Sequence, residues 1–174
     1  SKGLKAGNVT SIEDISVAIL NAIHIAEQMA GHSVKKVVVN VSGAMPTSNL
    51  VDVEVPVAGQ SVSDQDVRNV LEEGYSPTVN GVEYDVLHFL PVSFSLDGCA
   101  GIDDPRGMFG SKLGATIHSI NGRLSPIQNL RACIESCYLT VEDMVVSGYA
   151  SGLSTLVEDE LDLGATVVDI GGGV

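Results

Sequence analysis

Apolar residues along this chain change their spacing several times, and each change marks an element. Ile12, Ile15, Ile19, Ala22, Ile23, Ala26 and Ala30 recur three and four apart, the stripe of an amphipathic helix. Thr10 followed by Glu13 predicts a capping box at its start, and Gly31 predicts its end. Residues 36–41, Lys-Val-Val-Val-Asn-Val, form a β-branched run suited to a strand buried on both faces. The run Ser42-Gly-Ala-Met-Pro46 then breaks the pattern, and beyond it alternation replaces continuous apolar stretches. Val51, Val53, Val55 and Val57 alternate with Asp52, Glu54 and Pro56, as in a strand covered on one side and ending at an edge. Residues 61–66 supply a second cap, and Val67, Val70 and Leu71 mark a short helix ending at Gly74. Residues 83–97 read as a long strand bent or bulged at Pro91, residues 98–110 as a loop, and residues 113–120 as a last alternating strand.

Asn121-Gly122 is a turn signal, after which longer periods return. Ser125-Pro126 predicts an N-cap and first helical position for a helix carrying Ile127, Leu130, Cys133, Ile134 and Cys137. Residues 141–147 read as a buried strand, 148–156 as a helix of small residues, 158–162 as an acidic exposed turn, and 165–170 as another buried strand. The fold class is therefore α/β, interrupted between residues 46 and 122 by an α+β module in the order strand, helix, strand, strand.

The last predicted strand carries the one stretch with candidate chemistry. Asp169 sits at its end, followed by Gly171, Gly172 and Gly173. Consecutive glycines let backbone N–H groups approach a phosphate, and a carboxylate beside them can hold a metal ion directly or through water. The same residues also fit a glycine-rich turn after a core strand. Composition narrows the partners: a net charge of −13 and a pI near 4.4 exclude the basic stripe that nucleic-acid binding requires. Mean hydropathy is +0.26, yet no apolar run reaches the roughly 20 residues of a membrane span, so a soluble piece is expected. Three cysteines without a secretory leader suggest a reduced cytosolic setting. Cys133 and Cys137 lack zinc spacing and read as core residues, while the histidines at 24, 32, 88 and 118 are scattered. The missing initial Met and the end within a glycine run suggest a fragment of something longer. No nucleophile has a plausible base, so no catalytic set is expected.

Four stretches resemble the FtsA family of bacterial cell-division proteins, which are actin-like. They are residues 158–164 leading into Val168-Asp-Ile-Gly-Gly-Gly173; Ala150-Ser151 with Leu156 and the 133–139 helix end; Leu87-His-Phe-Leu-Pro91 with Leu96-Asp97, Pro105, Gly107-Met108 and Gly110; and residues 2–31. The resemblance runs in order over nearly the whole chain. It implies a partial actin-like (ribonuclease H-like) domain: residues 1–45 and 123–162 from subdomain 1A, residues 46–122 the inserted 1C subdomain of SHS2 type, and residues 163–174 the start of subdomain 2A with its second phosphate loop. It further implies ATP and Mg as cofactors of the full-length parent, held in part by Asp169, Gly171, Gly172 and Gly173, with Asp169 the candidate metal contact. The fragment itself is expected to bind neither, and to be inactive as an enzyme. The implied partners of the parent are FtsZ and the membrane, at the cytoplasmic face of the inner membrane. The 1C subdomain would contact later division proteins and other FtsA subunits; no nucleic acid is implied. Val174 departs from the family's usual Thr or Ser, and the first phosphate loop, the FtsZ-binding subdomain and the membrane helix have no counterpart here. The alternatives are another actin-superfamily member: a sugar kinase, a polyphosphatase or a type IV pilus scaffold.

Overall fold

A computed structural model describes residues 2–57, 61–75, 78, 79 and 82–170. The elements, in chain order, are β1 (Leu4–Lys5), β2 (Asn8–Val9), α1 (Ile12–Ala30), β3 (Lys36–Val41), β4 (Thr47–Pro56), α2 (Asp64–Gly74), β5 (Thr78–Val79), β6 (Val82–Leu96), β7 (Cys99–Ile102), β8 (Lys112–Arg123), α3 (Leu124–Glu135), β9 (Thr140–Val146), α4 (Ser147–Thr155) and α5 (Glu158–Leu163). They divide into two compact units, one of Ser1–Pro46 with Arg123–Val174 and the other of Thr47–Gly122.

In the first unit β3 and β9 pair in parallel, Lys36 opposite Thr140 through Val41 opposite Val146, with a register shift after Val37. Helix α3 packs against β9, and α1 packs against α3. Ile15, Ile127, Cys133, Ile134 and Cys137 are buried there, and the Cys137 thiol donates to the carbonyls of Cys133 (3.3 Å) and Ser16 (3.6 Å). Four sequence expectations shift. Ser11, not Thr10, caps α1, accepting from the N–H of Asp14 at 3.3 Å; a hydroxyl is equally competent at either position, and backbone geometry selects between them. Helix α3 starts at Leu124 with Arg123 at its N-cap, so Pro126 falls inside the first turn, where its missing N–H is harmless. The acidic run at 158–162 forms the short helix α5, with Glu160 accepting from the N–H of Val157, rather than a turn. Strand β3 alternates between half-buried and exposed residues, Val38 being 62% exposed, because only one parallel neighbour and one covered face are present among the described residues.

The second unit is a sheet in the order β4-β8-β6-β5, with β7 paired to β6. Strand β4 runs antiparallel to β8 without interruption from Thr47 opposite Asn121 to Pro56 opposite Lys112. Helix α2 packs on β4 and closes a core of Val62, Val67, Val70, Phe94, Leu96, Leu113, Ala115 and Ile117. Its capping box is complete: Ser63 Oγ accepts from the N–H of Asp66, and the Asp66 carboxylate accepts from Ser63 N–H at 2.9 Å. Phe89 and Phe94 both pack on this core although they stand five positions apart, an odd offset that regular alternation would send to opposite faces. Alternation must therefore slip by one residue between them, around Pro91, the bend the sequence predicts. Residues 98–110 are not wholly loop: Cys99–Ile102 folds back on β6 as β7, after Asp97 and Gly98 take left-handed conformations (φ 48° and 85°). The Asp97 carboxylate then accepts from the N–H groups of Ser111 (3.0 Å) and Lys112 (2.9 Å), closing that excursion.

Two substitutions test this packing. Ile117→Ala, at a fully buried site, is expected to cost about 2–5 kcal/mol in urea unfolding of the second unit. Gly43→Ala drives a Cβ onto the backbone of Gly7, and a loss of roughly 1–3 kcal/mol confined to the first unit is expected; an unchanged midpoint would refute that contact.

Candidate functional site

Parallel pairing of β3 and β9 puts both C-terminal ends at one edge, the place where α/β sheets bind ligands. A cleft of about 570 Å³ opens there, bordered by Asn40 and Ser42 from the end of β3, Ser147, Gly148 and Ser151 from the start of α4, and Asp169. Helix α4 follows β9 without a connecting loop, so its N-terminal turn, the positive end of its dipole, borders the cleft. Val146 at the N-cap makes no side-chain cap bond.

Two hydroxyls organise this wall. Ser147 Oγ donates to Asn40 Oδ1 at 2.9 Å and lies 3.3 Å from the carbonyl of Val41. Ser151 Oγ donates to Asp169 Oδ2 at 3.2 Å. The sequence expectation for Asp169 is thus half changed. Residues 165–170 form no strand; they lie unpaired and exposed, with Val168 at 73% and Ile170 at 88%, since no ladder partner runs beside them among the described residues. The Asp169 side chain nonetheless borders the cleft. Gly171, Gly172 and Gly173, together with Val174, lie outside the described residues.

Asn40, Ser147 and Ser151 escape a sequence search for chemistry. The available signals are weak: one amide within a β-branched strand, and serines in a helix of small residues whose plain reading is close packing. No three His, Cys, Asp or Glu side chains cluster as a metal cage among the described residues. A lone carboxylate, Asp169, is a donor set that suits Mg²⁺ held mainly by water and phosphate oxygens.

The remaining titratable candidates are structural. Cys133 and Cys137 are buried, and burial, with the neighbouring Cys137 thiol adding to it, pushes the Cys133 thiol above its ordinary range. His24 bonds Gln28 and His118 bonds Ser48, each at an exposed position. Arg106 bridges Asp64 (2.7 Å) and Asp104 (2.9 Å) on the surface of the second unit, where such pairs contribute little. No helix among the described residues is long and apolar enough to cross a membrane.

Comparison with known proteins bears on both units. Residues 43–121 match the SHS2 domain inserted in FtsA. Over 173 residues, 99% of the chain, it is 36% identical to the cell division protein FtsA of Rhizobium meliloti and 34% identical to that of Escherichia coli K12, covering 39% and 41% of those proteins. It is 37% identical over 180 residues to the FtsA of Streptococcus pneumoniae D39, covering 38% of that protein. The fold is thus a partial actin-like α/β domain interrupted by an SHS2 module. Along 99% of its length the chain is similar to the FtsA cell-division proteins, and it spans about two fifths of the length of these relatives.

Thiol chemistry checks the burial of the helix cysteines. With iodoacetamide at pH 8, Cys99 is expected to react in minutes and Cys133 only upon unfolding. Because the folded state holds the Cys133 thiol protonated, its contribution to stability is complete below the ordinary thiol pKa of about 8.5 and falls as pH rises beyond it. Equal labelling rates for all three cysteines would contradict this placement.

Proposed function

We propose that this chain serves bacterial cell division as part of an ATP-binding scaffold rather than as an enzyme. The observation that carries the reading is the SHS2 match falling on a separately packed unit, within a chain that aligns along 99% of its length with cell division proteins. Two roles divide between the units. The first contributes one wall of an ATP site, in which Asp169 and the glycine run Gly171, Gly172 and Gly173 are the residues that would meet phosphates and Mg²⁺. The second is an interaction module for later division proteins and for other subunits. Strand β4 supports that role: it lies at the end of the sheet order, and its outer ladder groups are the kind of edge that pairs with another chain. In the full-length protein, FtsZ and the membrane would be reached through other segments of the chain, at the cytoplasmic face of the inner membrane.

A chimera tests both roles: the aligned segment of Escherichia coli FtsA is replaced by this chain and expressed in cells depleted of their own FtsA. Septation is expected to proceed, with the chimera at midcell. Deleting residues 47–122 should leave midcell placement intact and abolish arrival of later division proteins; their undiminished arrival would overturn the assignment of the insert. Asp169→Ala should weaken ATP binding by the purified chimera about tenfold or more, and unchanged affinity would overturn the assignment of the cleft.

A further inference from the structure

We propose that Ser147 and Ser151 are positioning residues that fix the amide and the carboxylate bordering the cleft, so that each presents one defined polar group to a phosphate–Mg²⁺ ligand. The inference rests on the reading of the cleft as an ATP site and goes beyond it by assigning two residues to that site. The two serines stand four apart on α4, one turn, so their side chains share one face of the helix. Each donates to an acceptor from a different part of the chain, Asn40 Oδ1 at the end of β3 and Asp169 Oδ2 in the segment after α5. All four residues border the same cleft.

The chemical consequence follows from the donor and acceptor inventory. Asn40 has one acceptor oxygen and one two-proton donor nitrogen. Engaging Oδ1 with Ser147 sets the flip of the amide, leaving the Nδ2 protons as the groups available to an anionic oxygen. Asp169 has two carboxylate oxygens; engaging Oδ2 with Ser151 leaves Oδ1 for a cation or its water shell. A wall with one oriented donor and one oriented acceptor matches a ligand carrying phosphate oxygens and a divalent ion side by side. Without the serines, each group would sample rotamers, and part of the binding free energy would go to ordering them. Gly148, between the two serines, borders the cleft and a Cβ there would meet nothing within 4 Å, so the backbone start of α4 stays open to the same ligand.

The two serines therefore make different predictions. In the Escherichia coli chimera described above, Ser151→Ala should raise the Mg²⁺ concentration that half-saturates ATP binding by roughly five- to tenfold while leaving Mg²⁺-free ATP affinity unchanged. Ser151→Thr, which keeps the hydroxyl, should restore the original Mg²⁺ dependence. Ser147→Ala should weaken ATP binding by a similar factor at saturating Mg²⁺, with the Mg²⁺ midpoint unmoved. If the chimera binds ATP and both alanine variants match it at every Mg²⁺ concentration, the positioning role is refuted. If the folded chimera binds no ATP, the reading of the cleft fails, and the serines are judged by NMR of the same protein. Ser147→Ala should then shift the Asn40 side-chain amide resonances and Ser151→Ala the Asp169 carboxyl carbon; unmoved signals would overturn the proposal, and shifted signals would uphold the positioning while removing ATP as its purpose.

Discussion

Everything in the first unit depends on bringing β3 and β9 together as parallel neighbours although the whole second unit lies between them in sequence. Left as open chain, a segment of that length would impose a loop-closure penalty on the pairing. Folding of the insert removes most of that penalty, because its two ends finish beside each other: Thr47 lies opposite Asn121 in the β4–β8 ladder. The carbonyl of Ala44 accepts from the N–H of Arg123 at 2.9 Å, so the chain leaves and re-enters the first unit through hydrogen-bonded residues. Left-handed backbone at Ala44 and Met45 (φ 65° and 47°) turns the outgoing strand, a conformation unfavourable for residues with a Cβ. Asn8 Oδ1 helps hold it by accepting from the Ala44 N–H at 3.3 Å, and Gly7 and Gly43 meet where no side chain would fit.

The same constraint makes the cleft. A parallel pair aligns its C-terminal ends, and with α4 starting directly after β9 the helix dipole, Ser147 and Ser151 arrive at that edge together. Function and insertion are thereby separable within one chain. The cleft draws on residues before 47 and after 122, whereas the SHS2 module closes its own core around Val70, Leu113 and Ile117 and offers β4 as its outer strand. A module whose ends meet can be accepted into an α/β framework without disturbing the residues that border its cleft.

Periodicity alone carried most of the architecture. Strand β3, helix α2 and the long strand β6 stand within a residue or two of their predicted bounds, because each has a complete local signal: a β-branched run, a capping box with a glycine stop, or extended alternation broken at Pro91. Asp169 stands out in the sequence as a candidate for the same reason, as a carboxylate closing an apolar run before glycines, and the structure sets its side chain at the border of the cleft. Where the local signal was shared between adjacent residues, as with Thr10 and Ser11, sequence could not choose the cap, and α3 takes Arg123 as its N-cap, two residues before the predicted Ser125, since the choice depends on where the preceding backbone enters the helix.

What the sequence determined by itself is the alternation of elements, the strand-helix-strand-strand insert and the family likeness, all consequences of short-range patterns. Tertiary structure alone decided how those patterns are used. Among the described residues it left 165–170 unpaired, because a strand exists only where a neighbour completes its ladder, and it exposed half of β3, where only one face is covered. It also gathered Asn40, Ser147, Ser151 and Asp169 at one edge. No spacing along the chain encodes that meeting, because it is produced by a parallel register between strands that the entire insert separates.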